Sequence, residues 1–146
     1  MSKKYALPIF LRGNATQANY LRWLGRKSIT HVRRDRERGN LTAINEAYKV
    51  AIHGAVVASN GRDHYTGEML DWSLLGRYNN DESKEKRRRY KASFALLPTV
   101  DHVGDGLGPA DFKICGWRTN DAKHDLTHDE FVALCRRVIA HFDARK

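Results

Sequence analysis

The sequence predicts an α+β protein: N-terminal helices packed on a strand–loop–strand–helix unit and closed by a C-terminal amphipathic helix. Three observations lead there. Apolar residues recur at helical spacing in the first third of the chain and again from Phe131 to Phe142. Phe94 to Val103 is apolar and β-branched enough for a strand. Phe112, Ile114 and Trp117 then alternate with Lys113 and Arg118, as a short strand returning antiparallel to the first would require.

In chain order, Ala15 to Leu24 reads as a helix through Tyr20, Leu21, Trp23 and Leu24, interrupted near Gly25. Ser28 is placed to cap a second piece that carries basic residues to Arg38, where Gly39-Asn40 stops it. Thr42 caps the next helix, whose Ile44, Tyr48, Ala51, Ile52, Ala55 and Val56 form a core-facing stripe with a structural His53 beside it. Gly61 to Ser73 is less regular: Tyr65-Thr66-Gly67-Glu68 looks like a turn, and Trp72 and Leu74 are expected to cover the back of the unit that follows. After the first strand, Gly104, Gly106, Gly108 and Pro109 make a loop, and from Thr119 the chain turns helical. Thr127-His128-Asp129-Glu130 is a capping box. It opens the last helix, whose stripe of Phe131, Leu134, Cys135, Val138, Ile139 and Phe142 is expected to be buried, with Cys135 as a packing residue.

The 146 residues suit one domain with a real core and are short for two. Lys and Arg number 26 against 17 Asp and Glu, a formal charge of +9. The pI is near 9.8. Such a surplus draws a protein to polyanions by counterion release. The charge is clustered at Arg22, Arg26, Lys27, Arg33, Arg34, Arg36 and Arg38, and again at Lys84, Lys86, Arg87, Arg88, Arg89 and Lys91. The second run reads equally as a phosphate grip or as a solvated linker. No apolar run approaches the ~18 residues of a membrane helix, and the N-terminus lacks the apolar stretch of a signal peptide. Two widely spaced cysteines point to a reducing compartment, and so to a cytoplasmic protein.

Asp101, His102, Asp111, Asn120 and His124 follow one another in an order suited to one site. An acidic oxygen, an imidazole and further oxygen or nitrogen groups are what metal-assisted phosphodiester cleavage needs. Asn120 and His124 are spaced i, i+4, so both are expected on one helix face.

The segments Thr99-Val100-Asp101-His102, Asp111-Phe112-Lys113-Ile114-Cys115 and Thr119-Asn120-Asp121-Ala122-Lys123 together resemble the HNH nucleases of the ββα-metal, or His-Me finger, superfamily. The resemblance runs from Pro98 to Thr127 and more weakly back to Tyr65. The last segment matches the family's Asn-x-x-Lys pattern. It implies N-terminal helices (1–60, basic) packed on an HNH-like part (61–146). It implies a DNA endonuclease with His102 as general base and Asp111 at the middle catalytic position. Asp101, Asn120 and His124 would be the ligands of one Mg²⁺ or Mn²⁺ ion. Arg87, Arg88, Arg89, Arg118 and Lys123 are the expected contacts to double-stranded DNA, with no membrane partner, and a homodimer is left open.

Two departures stand out. Asp111 replaces the family's usual Asn, so only acceptor roles survive there. The paired Cys-x-x-Cys zinc clips of many members are missing, since Cys115 and Cys135 are the only cysteines, and no structural zinc is expected. Two alternatives stay open: a non-catalytic nucleic-acid-binding protein on a degenerate HNH scaffold, and an RNase of the same fold.

Overall fold

The computed structural model describes residues 4–75 and 92–145. Among them, four helices and a two-strand antiparallel hairpin form an α+β fold. The elements are a 3-10 turn at Ile9–Leu11, α1 (Gln17–Glu37), α2 (Asn45–Ser59), a 3-10 turn at Trp72–Leu74, β1 (Pro98–His102), β2 (Phe112–Gly116), α3 (Trp117–Lys123) and α4 (His128–Ala144). No described helix is long and apolar enough to cross a membrane.

Thr16 caps α1 by accepting from the Asn19 backbone N–H at 3.1 Å. The helix is then unbroken, so the expected interruption at Gly25 does not occur. A glycine inside a helix costs about 1 kcal/mol relative to alanine. One continuous face outweighs that cost by burying Tyr20, Trp23 and Leu24 before the glycine, and Ser28, His31, Val32 and Asp35 after it. Ser28, expected as a cap, instead donates its hydroxyl to the Gly25 carbonyl at 3.0 Å inside the same helix. Gly39, at φ 104°, ends α1 where expected. Thr42 sits too early to cap α2; its hydroxyl and N–H both donate to Asn40 Oδ1, at 2.7 and 3.1 Å, and Ile44 is the N-cap.

Tyr48, Ile52 and Val56 of α2 are buried, as their spacing predicts, and α2 packs on both α1 and β2. The His53 ring is held by Tyr20, whose hydroxyl lies 2.6 Å from Nδ1. Val100, Phe112 and Ile114 of the hairpin enter the same core as Leu24, Val32 and Ile52. Lys27 of α1 reaches the hairpin, donating to Thr99 Oγ1 at 3.2 Å, and burial pulls its ammonium pKa down to about 8.

The hairpin pairs Pro98 with Gly116 and His102 with Phe112. β1 begins later than Phe94, because the Ala95 and Leu97 carbonyls accept from Arg118 and Trp117 at the start of α3, at 3.1 and 2.9 Å. For the same reason the helix starts at Trp117 rather than Thr119.

The Asp63–Glu68 turn is tied to this junction by one carboxylate. Asp63 Oδ1 accepts from the N–H groups of Tyr65 and Thr66, at 2.7 and 3.1 Å, while Oδ2 accepts from Gly116 N at 2.8 Å. A side chain at Gly116 would meet the Ala95 carbonyl at 2.9 Å, so the close approach requires glycine.

α4 opens with the expected capping box of Thr127 and Glu130. Its stripe is not buried as expected: no residue of α4 is buried, and Cys135 is only half-buried. Leu134, Val138 and Ile139 are 44, 60 and 59 % exposed. Helical spacing fixes which residues share a face; it does not supply the surface that covers them.

Replacing Asp63 by Ala removes three charge-assisted bonds to backbone N–H groups, two of them within the turn and one from Gly116. The expected loss is about 2–4 kcal/mol in urea unfolding. Asp63→Asn keeps one acceptor oxygen and should lose less; equal stability of Asp63→Ala and wild type would remove this tether from the account.

Candidate functional site

The end of β1, the start of the β1–β2 loop, α3 and the head of α4 enclose an open cleft of about 950 Å³, with α1 and the His64-Tyr65 turn as its other walls. Asp101, His102, Asn120, Lys123 and His124 all line it. Five of the seven histidines do so: His31, His64, His102, His124 and His128.

Asp101 is buried on β1. Its Oδ2 accepts a short hydrogen bond from the Tyr65 hydroxyl and lies 3.2 Å from Lys123 Nζ. Its Oδ1 is 3.5 Å from the same ammonium. Lys123 is therefore not an exposed phosphate contact, as the sequence suggested, but a buried counter-ion, also 5.9 Å from the centre of the Tyr65 ring. Burial, followed by the bond to Asp101, pushes the Tyr65 phenol far above its ordinary range, so Tyr65 serves as a donor here.

The His102 side chain turns toward α1. Nδ1 is 2.9 Å from the Val103 carbonyl, and Nε2 is 2.8 Å from Asp35 Oδ2, within ion-pair range but without the alignment of a hydrogen bond. The ring packs edge-on to Phe112 with centroids 4.7 Å apart. Both nitrogens thus face acceptors, an arrangement in which a doubly protonated imidazole has a partner for each N–H. Asp35 is 0 % exposed and also accepts from the Tyr48 hydroxyl at 2.5 Å.

Asn120, on α3, makes no side-chain hydrogen bond among the described residues, which leaves its amide available to the cleft. His124 is not one turn along the same helix, as expected, because α3 ends at Lys123. Its φ and ψ of 53° and −123° are those of the first central residue of a type II′ turn, closed by Leu126 N donating to the Lys123 carbonyl at 3.1 Å. The ring is 81 % exposed and 3.3 Å from Asp125.

Two expected site residues lie elsewhere. Asp111 is exposed just before β2 and does not line the cleft; it is its backbone carbonyl that is engaged, by Val103 N at 2.8 Å. Arg118 points to Glu68, in an exposed ion pair. Arg87, Arg88 and Arg89 lie outside the described residues. Of the basic run on α1, Arg34 and Arg38 reach the cleft, joined there by Lys113. The walls also carry Asp105, Asp121, Asp125 and Asp129, so the lining is mixed in sign.

Sequence reasoning missed Asp35, Tyr65 and His31. The available signal was Asp35 itself, an acid on the apolar side of α1, i+4 from His31. His31 is buried against Phe112 and 6.2 Å from the His102 ring. Burial, then the nearby Arg34, Lys27 and His102, hold its pKa down near 3. Cys115 is buried and its thiol pushed far up by burial, which makes it inert as a nucleophile.

Among the described residues no group of three or more His, Cys, Asp or Glu side chains is placed to hold a metal. Asp101 and Asn120 nevertheless offer hard oxygen donors to one cleft, which is the donor chemistry of Mg²⁺ or Mn²⁺. Comparison with protein-family models, with curated proteins and with solved structures finds no match.

Two predictions follow from the geometry. Neutral His31 lowers the proton uptake of the folded state between about pH 3 and 6.5, while the unfolded chain binds that proton. Stability contributed by this group is complete above 6.5 and is lost as pH falls through the window, at up to ~1.4 kcal/mol per pH unit. His31→Phe should flatten the urea-midpoint profile of wild type between pH 6.5 and 4; parallel profiles would refute the assignment. At position 124, glycine relieves a left-handed backbone, so His124→Gly should raise stability by about 1 kcal/mol. A drop in melting temperature would show that the His124 ring makes a stabilising contact.

Proposed function

We propose that the protein is a metal-dependent endonuclease of the His-Me finger type acting on duplex DNA. One observation carries this reading: the hairpin and α3 bring Asp101, His102 and Asn120, distant in sequence, to a single cleft with Arg34, Arg38 and Lys113 on its walls. The antiparallel hairpin followed at once by a helix is the ββα arrangement that the motif order requires.

Asp101 and Asn120 would hold the cation, and His124 is near enough to the rim to join them. A bound divalent ion supplies charge stabilisation at phosphorus and at the leaving oxygen. Tyr65 and Lys123 keep the Asp101 carboxylate in place and neutralised, so the ion must share it with Lys123 or displace the ammonium. Arg34, Arg38 and Lys113 attract and seat the phosphate backbone. His102 is the proton acceptor of the proposal. With Nδ1–H donated to the Val103 carbonyl, Nε2 is the atom that takes the proton from water. Because Nε2 faces Asp35, activity requires the ring to turn from that carboxylate to the cleft.

The same two contacts favour a second reading. Lys123 on Asp101 and Asp35 against His102 are also what a non-catalytic nucleic-acid-binding scaffold would show, each catalytic group being held by a protein partner.

Supercoiled plasmid incubated with Mg²⁺, Mn²⁺ or EDTA separates the two, with wild type set against His102→Ala and Asn120→Ala. Asn120 has no side-chain partner to lose, so its variant stays folded even where removal of His102 strands Asp35. Metal-dependent nicking that falls ~10²–10⁴-fold in His102→Ala, and needs more cation in Asn120→Ala, is expected. Cleavage unaffected by either substitution would sink the catalytic assignment. Salt-sensitive DNA binding with neither cleavage nor Mn²⁺ uptake would establish the scaffold, and preference for RNA in the same assay would replace DNA as substrate.

A further inference from the structure

We infer that the exposed apolar face of α4 is a self-association surface, on which α4 of a second copy of this chain packs antiparallel. Leu134, Val138 and Ile139 sit at i, i+4 and i+5 and share one side of the helix. They are 44, 60 and 59 % exposed, and Phe142 continues the strip at 61 %. A stripe of large side chains along successive turns differs from the scattered exposed apolar residues of ordinary surfaces and marks an interaction site.

What covers it follows from shape and charge. The segment 76–91 is strongly charged and has only Tyr78 and Tyr90 as sizeable apolar groups, a poor match to an aliphatic stripe. α4 is itself a match to the stripe. Its first turn carries Asp129 and Glu130, and its end carries Arg145. With a two-fold axis at Val138, an antiparallel pair sets Leu134 against Phe142 of the second copy and Glu130 near Arg145 of the second copy, at both ends. A parallel pair would place acid on acid and base on base, and would also align the helix dipoles unfavourably. One helix pair covers less than the ~1,600 Å² of a standard interface, so association is concentration-dependent rather than obligate. The inference rests on this surface alone and is independent of the chemistry assigned to the cleft.

Sedimentation equilibrium of the full chain across low to high micromolar concentration tests it. Wild type should dimerise, and Val138→Glu should weaken association at least ~10-fold with an unchanged helical circular dichroism signal. In a Cys135→Ser background, Val138→Cys should cross-link to itself on oxidation, whereas Leu134→Cys should cross-link only when mixed with Phe142→Cys; Cys115, being buried, stays out of the reaction. A monomer at every concentration would overturn the inference, as would a dimer indifferent to Val138→Glu. Self-cross-linking of Leu134→Cys as readily as Val138→Cys would mean a parallel pair and would also overturn it.

Discussion

The fold depends most on one buried carboxylate. Asp35, fully enclosed near the end of α1, receives the Tyr48 hydroxyl from α2 and the His102 imidazole from the end of β1. The β1–β2 loop closes over it: a side chain at Gly106 would come within 2.5 Å of Asp35 Oδ1, and Asn40 fixes the Gly106 carbonyl from the end of α1 at 2.8 Å. Two helices, a strand end and a glycine loop therefore meet at a single acid. An uncompensated charge in such a place costs about 3–5 kcal/mol, so none of these elements moves without the others.

The cleft is a consequence of that arrangement. Asp35 draws His102 toward α1, while its neighbour on the strand, Asp101, is taken by Lys123 and Tyr65. Adjacent strand residues point to opposite sides, and here each is met by a different partner set. Polar contacts also hold the turn before the hairpin, where Asp63 fastens the chain to Gly116. That tether and the buried hairpin residues join the turn, the hairpin and α3 among the described residues. The proposed chemistry is thus set against ground-state contacts that favour rest, and catalysis would have to exchange Asp35 and Lys123 for water, phosphate and cation.

α4 stands apart from this construction. Its N-terminal turn contributes to the cleft through His128 and Asp129, and Phe131 meets Tyr65 with centroids 6.0 Å apart. Beyond that point its apolar face leaves the body of the molecule. A helix fixed at its head by a capping box and exposed along its length is suited to joining copies without disturbing the cleft.

The sequence by itself determined the α+β class, the hairpin followed by a helix, the apolar face of α2 and the capping box of α4, because each rests on local periodicity or on a cap between near neighbours. It also marked Asp101, His102 and Asn120, whose order along the chain survives as proximity around the cleft. Only the tertiary structure decided that α1 runs through Gly25, since core burial on both sides of the glycine outweighs its local cost. It likewise decided that Lys123 is a counter-ion, that His102 faces Asp35, that Asp111 stands outside the cleft and that the α4 stripe stays exposed. Each of those depends on what lies opposite a side chain across a long stretch of sequence, and periodicity says which residues share a face but not what that face meets.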